Sequence, residues 1–226
     1  MSSVYETLAV ELTSTVQRAA AELRRAMFAG ELEPGTPLRE VALAESLGVG
    51  RSTVREGLTM LAAEGLVTRV PNRGVVVSSL DPDALQDVFR ARRVLEEAGV
   101  RAWSTADDSL RDALRERVAA FGELAVSGGS AEQIARAHTD IHRALAALTG
   151  SERLVAVVDG LHGEIRLSLA GVDRARGNLA EQAAAHQALL EGLEDGPTEP
   201  VVQALRDHLA GAQDYLHRSV RPRSSS

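Results

Sequence analysis

The chain is expected to be mostly α: an N-terminal winged helix-turn-helix followed by a C-terminal all-α antiparallel helical bundle. Three observations lead there. Ala and Leu dominate an apolar fraction of 44%, while aromatics reach only 3%, a composition that favours helix and an aliphatic core. Two strand-like runs, LVTRV at 66–70 and GVVVS at 74–78, stand alone after three short helical segments. From residue 82 onward the pattern is helical throughout, broken only by short gaps that contain Gly, Pro or a Ser-Thr pair.

In order, residues 1–13 read as a loose arm or short helix. A helix is predicted over about 14–29, with Val16, Leu23 and Met27 on one stripe, stopped by Gly30 and the Pro34-Gly35 pair. A second covers about 39–47 and ends at Gly48. A third runs over about 52–64, with Val54, Leu58 and Leu61 inward, and ends at Gly65. Pro71-Asn72-Arg73 joins the two strand runs and Gly74 closes the turn, completing a winged helix-turn-helix over 14–79. Asp81-Pro82-Asp83 then supplies an N-cap, a proline at the first helical position and an acid in the first turn, so a boundary falls near Leu80. Helices follow at about 82–103, 107–127, 131–149, 151–170, 178–195 and 198–220. Their breaks are Ser104-Thr105, Gly128-Gly129, Gly150, 171–177 and Gly196-Pro197, short enough to favour antiparallel neighbours. The tail RPRSSS, 221–226, is expected to be disordered.

The composition excludes several classes. With no cysteine there are no disulfides, thiolate ligands or cysteine nucleophiles, so any transition-metal site must use His with Asp or Glu. No signal sequence and no apolar run near twenty residues is seen, which points to a cytoplasmic protein with no membrane partner. The net charge of −7 speaks against nucleic acid only while it is treated as uniform. Residues 1–79 hold 8 Arg against 9 Glu, and residues 80–226 hold 17 Arg against 23 acids. Within 51–79, Arg51, Arg55, Arg69 and Arg73 outnumber Glu56 and Glu64. Local charge decides docking on phosphate.

That stretch carries the DNA-reading candidates. Val49 and Val54 can pack the turn of a helix-turn-helix. Ser52 and Thr53 open the next helix, where backbone N–H groups and hydroxyls can take phosphate. Arg51 and Arg55 lie four apart, opposite Val54, Leu58 and Leu61, and an arginine there can bond either a guanine edge or a phosphate. The Asn72-Arg73-Gly74 tip can approach the minor groove or the backbone, since Gly74 has no side chain. Arginines alone would read as solvated surface; their combination with a glycine turn and a basic hairpin favours DNA.

The chain has 6 histidines, and HTDIHRAL places His138 and His142 four apart, on one helix face. Taken alone, the pair is either half of a metal site or two ordinary histidines on a helix flank.

The segment FAGELEPGTPLREVALAESLGVGRSTVREGLTMLAAEGLVTRVPNRGVVV resembles the DNA-binding domain of the GntR family of bacterial transcription regulators. The resemblance spans roughly 14–79 and is most specific in GVGRSTVREGL, LAAEGLV and NRG. It implies Arg51, Ser52, Thr53 and Arg55 at the DNA, with Arg73 and Gly74 in the wing. Many members place a basic residue just after the Glu equivalent to Glu40. Here that place is Val41 and Arg39 precedes the Glu, so Arg39 is the candidate from helix two. The second half is similar to the FCD effector domain of the FadR-like branch. VFRARRVLEEAGVRAW, ARAHTDIHRALAALTGSERLV and AAAHQALLEGLEDGPTEPVVQALRDHL carry that resemblance over about 83–217.

In metal-containing members the pattern is Asp-x-x-x-His on one helix and a His on each of two later helices. His142, His186 and His208 match the histidine positions and His138 the Asp position; Asp140, two before His142, points to another face. The resemblance thus implies a divalent-ion site at His138, His142, His186 and His208, suited to Zn or Ni. It has either four imidazoles, or three with His138 a bystander. Four neutral ligands leave the ion's full charge, where Asp would cancel one unit, so an anionic ligand is attracted more strongly. Ala185 stands where members often carry an acid, which removes an outer support for the site, and Ser151 where they often carry Asn. His162 and His217 are left as surface or structural residues. Arg92 matches an arginine that faces the pocket in relatives, and Arg166 is a second candidate. With the ion they favour a small carboxylate effector. The competing reading of Arg92 is an i, i+4 ion pair with Glu96.

The expectation is a DNA-binding transcription regulator, a repressor by the family's commoner mode, homodimeric on a near-palindromic double-stranded operator. Residues 80–220 would bind the ion, the effector and the second copy. No enzyme is expected: no Gly-rich phosphate loop, Ser-His-Asp constellation or placed general base stands out. The alternatives are a direct metal sensor, a metal-free acyl-CoA-type regulator and, further off, a metal-dependent enzyme with a DNA-binding domain.

Overall fold

The computed structural model describes residues 14–71, 73–168 and 179–220. The expected N-terminal arm, Asn72 of the wing tip, the 171–177 break and the C-terminal tail lie outside the described residues. The chain divides into two compact units, Met1–Ser78 and Ser79–Ser226.

In the first unit, α1 (Thr15–Phe28) opens on a capping box in which Ser14 and Gln17 satisfy each other's backbone N–H. It buries Ala19, Ala20, Leu23 and Met27. Helix α2 (Glu40–Leu47) ends at Gly48, whose φ of 64° is left-handed and which therefore turns the chain at no steric cost. Helix α3 (Arg51–Ala63) buries Val54, Gly57, Leu58 and Leu61. It packs on α1 and α2, and a Cβ on Gly57 would already touch the α1 backbone at Ala20. Strands β1 (Val67–Val70) and β2 (Gly74–Val77) pair antiparallel, Val67 opposite Val77 and Val70 opposite Gly74. Pro37 bridges to Val76 on the outer side.

The second unit holds α4 (Pro82–Ala102), a 3-10 turn (Trp103–Thr105), α5 (Asp108–Ser127), α6 (Ala131–Ala147), α7 (Glu152–Ser168), α8 (Leu179–Asp195) and α9 (Thr198–Val220). Asp81 caps α4 by accepting from the Ala84 N–H at 2.8 Å. Helix α4 packs against α6, α7 and α9, α5 against α6 and α8, and α8 against α9. The shared core is aliphatic with Phe89 and Phe121 embedded in it. One close approach positions the site. A Cβ on Gly99 of α4 would fall 1.8 Å from the Leu145 carbonyl oxygen of α6, so only glycine lets these helices lie this near. Glu96 and His142, each one turn earlier on its helix, are thereby brought face to face. Among the described residues no helix is long and apolar enough to cross a membrane.

Candidate metal centre and nucleic-acid interface

Three helices bring four imidazoles together. His138 and His142 come from α6, His186 from α8 and His208 from α9, and one ring nitrogen of each lies within 4.8 Å of the others. His142 and His186 are buried. The Nε2 atom of His142 is 3.3 Å from that of His138 and 3.4 Å from that of His186.

Hydrogen bonds behind the rings decide where the protons sit. His142 Nδ1 is 2.7 Å from Glu96 Oε2. An ionised carboxylate only accepts, so Nδ1 carries the proton and Nε2 is a bare lone pair. His186 Nδ1 donates to the Gln182 carbonyl at 2.7 Å, which leaves its Nε2 bare as well. Two bare nitrogens at 3.4 Å cannot hydrogen-bond to each other; their lone pairs repel unless a cation is shared. His208 Nε2 is buried without a hydrogen-bond partner.

Burial holds the imidazoles neutral. His138 lies well below the usual histidine range, through burial first and then the neighbouring imidazoles His142, His186 and His208. Burial and then the Arg92 charge do the same to His142. Burial lowers His186 and, followed by His186, pushes His208 down to about 4. Neutral, converged imidazoles with bare nitrogens are the donor set that a borderline divalent ion requires, so the residues present fit one. His138 is gathered with the other three.

Arg92 is brought to this centre, and its ion pair with Glu96 is there too. Its Nε donates to Glu96 Oε1 at 2.8 Å, with Arg92 4% and Glu96 0% exposed. Its Nη2 is buried without a partner. Glu96 therefore spans Arg92 and His142, a role the sequence reading missed by treating it only as a competitor for Arg92. The missing outer support expected from Ala185 is supplied instead by the Gln182 carbonyl. His162, left as a surface or structural residue, is no surface residue. It is 7% exposed, its Nε2 is 3.9 Å from Glu96 Oε1, and both its ring nitrogens lack hydrogen bonds. Burial and then Arg92 push it down to about 3. His217 is half-buried beside Gln213. Arg166 is half-buried with its guanidinium 3.6 Å from Glu132 of α6.

The other group of candidates lies on the first unit. No side chain caps α3 at Gly50, and Arg51, Ser52 and Arg55 are exposed there, with Thr53 half-buried. Arg39, at the start of α2, is exposed. Arg73 and Gly74 are exposed at the wing, and Gly74 has φ 79°. Arg55 Nε and Nη2 donate to Glu40 Oε1 and Oε2 at 3.1 and 2.7 Å. Their spacing of fifteen residues gives no periodic signal in sequence. The Arg55 hydrogen bonds hold the Glu40 carboxyl below its usual range, followed by the charges of Arg55, Arg51 and Arg69.

Two family models match the chain: bacterial regulatory proteins, gntR family, over residues 15–77, and the FCD domain over residues 87–211. A transcriptional regulator from an unstable DNA locus of Streptomyces ambofaciens is 29% identical over 205 residues, covering 87% of this chain and 83% of its own. The probable D-xylose utilization operon transcriptional repressor of Paenarthrobacter nicotinovorans is 29% identical over 183 residues, 80% of this chain and 79% of its own. A solved structure assigned as a GntR transcriptional regulator from Rhodococcus sp. RHA1 superposes with a TM-score of 0.77 at 29% identity, covering 92% of this chain and 100% of that one.

Proposed function

The chain belongs to the GntR family of bacterial regulatory proteins and is a DNA-binding transcription regulator with a C-terminal FCD domain, not an enzyme; from that premise we propose that it is a repressor whose C-terminal unit holds a divalent ion and a small carboxylate effector that together set operator affinity. The observation that carries the metal reading is the pair of bare Nε2 atoms, His142 and His186, 3.4 Å apart. His138, His142, His186 and His208 would hold the ion, and imidazole ligands without thiolate suit Zn or Ni. When bound, the ion supplies a positive charge that can take a carboxylate oxygen.

The protein's own groups do the rest. Glu96 fixes the His142 tautomer and orients its ring. Arg92 keeps Nη2 for an incoming anion while Nε stays on Glu96. Neutral His162 offers one donor and one acceptor beside them. Arg166, paired with Glu132, is the second effector candidate. Buried donors without partners cost roughly 1–3 kcal/mol each, so a small polar anion that satisfies Arg92 and His162 is favoured there.

On the operator, α3 would enter the major groove. Arg51, Ser52, Thr53 and Arg55 would face the DNA, Arg73 and Gly74 would approach from the wing, and Arg39 would sit at the start of α2. A homodimer would match a near-palindromic site, acting in the cytoplasm where the chromosome lies. The regulator named as a D-xylose operon repressor supports repression. Effector binding would shift the population of DNA-competent conformations.

The test combines elemental analysis of protein purified without chelator with operator binding, with and without metal and a panel of small carboxylates. One bound ion per chain and a carboxylate-dependent change in affinity are expected. No bound metal would move the protein to the metal-free class, and affinity that tracks metal alone would make the ion itself the signal.

A further inference from the structure

We propose that Arg55 reads a guanine base of the operator and that Glu40 is the positioning residue that holds it for that task. The proposal rests on the reading of α3 as the DNA-facing helix.

The carboxylate grips one edge of the guanidinium. Glu40, the first residue of α2, accepts from Arg55 Nε at 3.1 Å and from Nη2 at 2.7 Å. An arginine has five N–H donors in a rigid planar fork. With the Nε side engaged, the end formed by Nη1 and the outer Nη2 hydrogen has no hydrogen-bond partner among the described residues. Arg55 is 61% exposed and Glu40 26%, so the pair lies at the surface, where the donors that Glu40 does not engage are open to a partner. That open end presents two parallel donors, the arrangement that matches O6 and N7 of guanine.

Charge separates this role from a phosphate contact. Phosphate attraction follows net positive charge, and an Arg55–Glu40 pair has none. A guanine edge asks for directed donors instead. Arg51, Arg69 and Arg73 form no ion pair among the described residues and are exposed; they are the better phosphate partners. Glu40 stands among Arg51, Arg55 and Arg69, whose charges all act on it. An acid facing phosphates is opposed by them, so its place there is explained by the order it imposes on Arg55. A side chain held in its bound geometry before the encounter loses less freedom on binding.

The experiment selects operators for the full-length protein from randomised duplex DNA, then measures affinity at fixed salt for the selected site and for each single-base variant. The wild type is expected to prefer G·C at one position per half-site by roughly 5- to 150-fold. Glu40→Ala should cut that preference to a few-fold while the unfolding midpoint stays unchanged, and Glu40→Gln, which keeps one acceptor, should retain part of it. Arg55→Ala should erase the preference, and adding Glu40→Ala to it should change nothing more. Full preference in Glu40→Ala overturns the positioning role. Additive losses in the double variant overturn it too, because Glu40 would then read a base itself. If Arg55→Ala weakens all sequences equally and flattens the salt dependence, Arg55 binds phosphate and the proposal fails. Absence of any enriched sequence for the wild type would defeat the DNA-facing assignment of α3 itself, a distinct result.

Discussion

The two candidate sites of this chain use opposite physics. The side of α3 proposed to face DNA displays exposed side chains, of which, among the described residues, only Arg55 is tied to a neighbouring side chain, Glu40. Arg51, Ser52 and Arg55 project outward from a helix whose other face, Val54, Leu58 and Leu61, holds the fold. The histidine centre is buried and interlocked. Arg92, Glu96, His142 and His186 are each under a tenth exposed, and each is bound to or pressed against the next. The comparison teaches where function and stability separate. On α3 a contact can be removed without disturbing the fold. In the centre, removing one group strands another in a medium that penalises unpaired charge.

Glu96→Ala is the strongest way to break that contrast. It leaves Arg92 charged and buried and takes the acceptor from His142 Nδ1, and loss of one partner of a buried pair costs about 3–5 kcal/mol. Denaturant unfolding of the metal-free variant should show a loss of that order; an unchanged midpoint would place Glu96 outside the interlocked set. Next comes His142→Ala, which should lower bound metal well below one per chain. It should also remove the metal-dependent stabilisation, roughly 4 kcal/mol where free ion exceeds Kd a thousandfold. Elemental analysis together with thermal unfolding checks it, and full occupancy would sink the ligand assignment.

On acidification the second unit should respond first, because its buried histidines begin to matter at a higher pH than the ion-paired carboxylates of the first unit. His208 and His162 are held at about 4 and about 3, below the ordinary 6.5. The unfolded chain therefore takes up protons first. The stability these groups contribute is present above about pH 6.5 and is lost as pH falls toward their folded values. Melting temperatures of the metal-free protein between pH 7 and pH 4 test this, and a flat profile would contradict it. Smallest in its effect on stability is Arg55→Ala. Its unfolding midpoint should match the wild type, while specific operator affinity falls roughly 5- to 150-fold per half-site. Unaltered affinity would remove Arg55 from the DNA face.

Much of the architecture was legible because it is local. Asp81 marks a helix start through its own side chain, Gly48 marks a stop where a left-handed φ is needed, and the runs LVTRV and GVVVS mark the wing. His138 and His142 were legible as a pair, since four residues is one helical turn. His186 and His208 came only through the family resemblance, for nothing local ties them to α6. The Arg92–Glu96 pair was legible at i, i+4, but the Glu96–His142 contact and the burial of His162 were not, for one reason. Whether an ionisable side chain is buried depends on which face its helix turns to its neighbours, and α4 and α7 meet α6 only in the assembled bundle.

By itself the sequence determined the helices, their caps, the wing and the residue types able to hold an ion or reach DNA. These follow from backbone preference and periodicity over a few residues. Only the tertiary structure decided that Gly99 lets α4 close on α6, that Glu96 joins Arg92 to His142, and that Glu40 grips Arg55. Hydrogen bonds and burial depend on distance in space. Groups from separate helices acquire that distance only when the core packs.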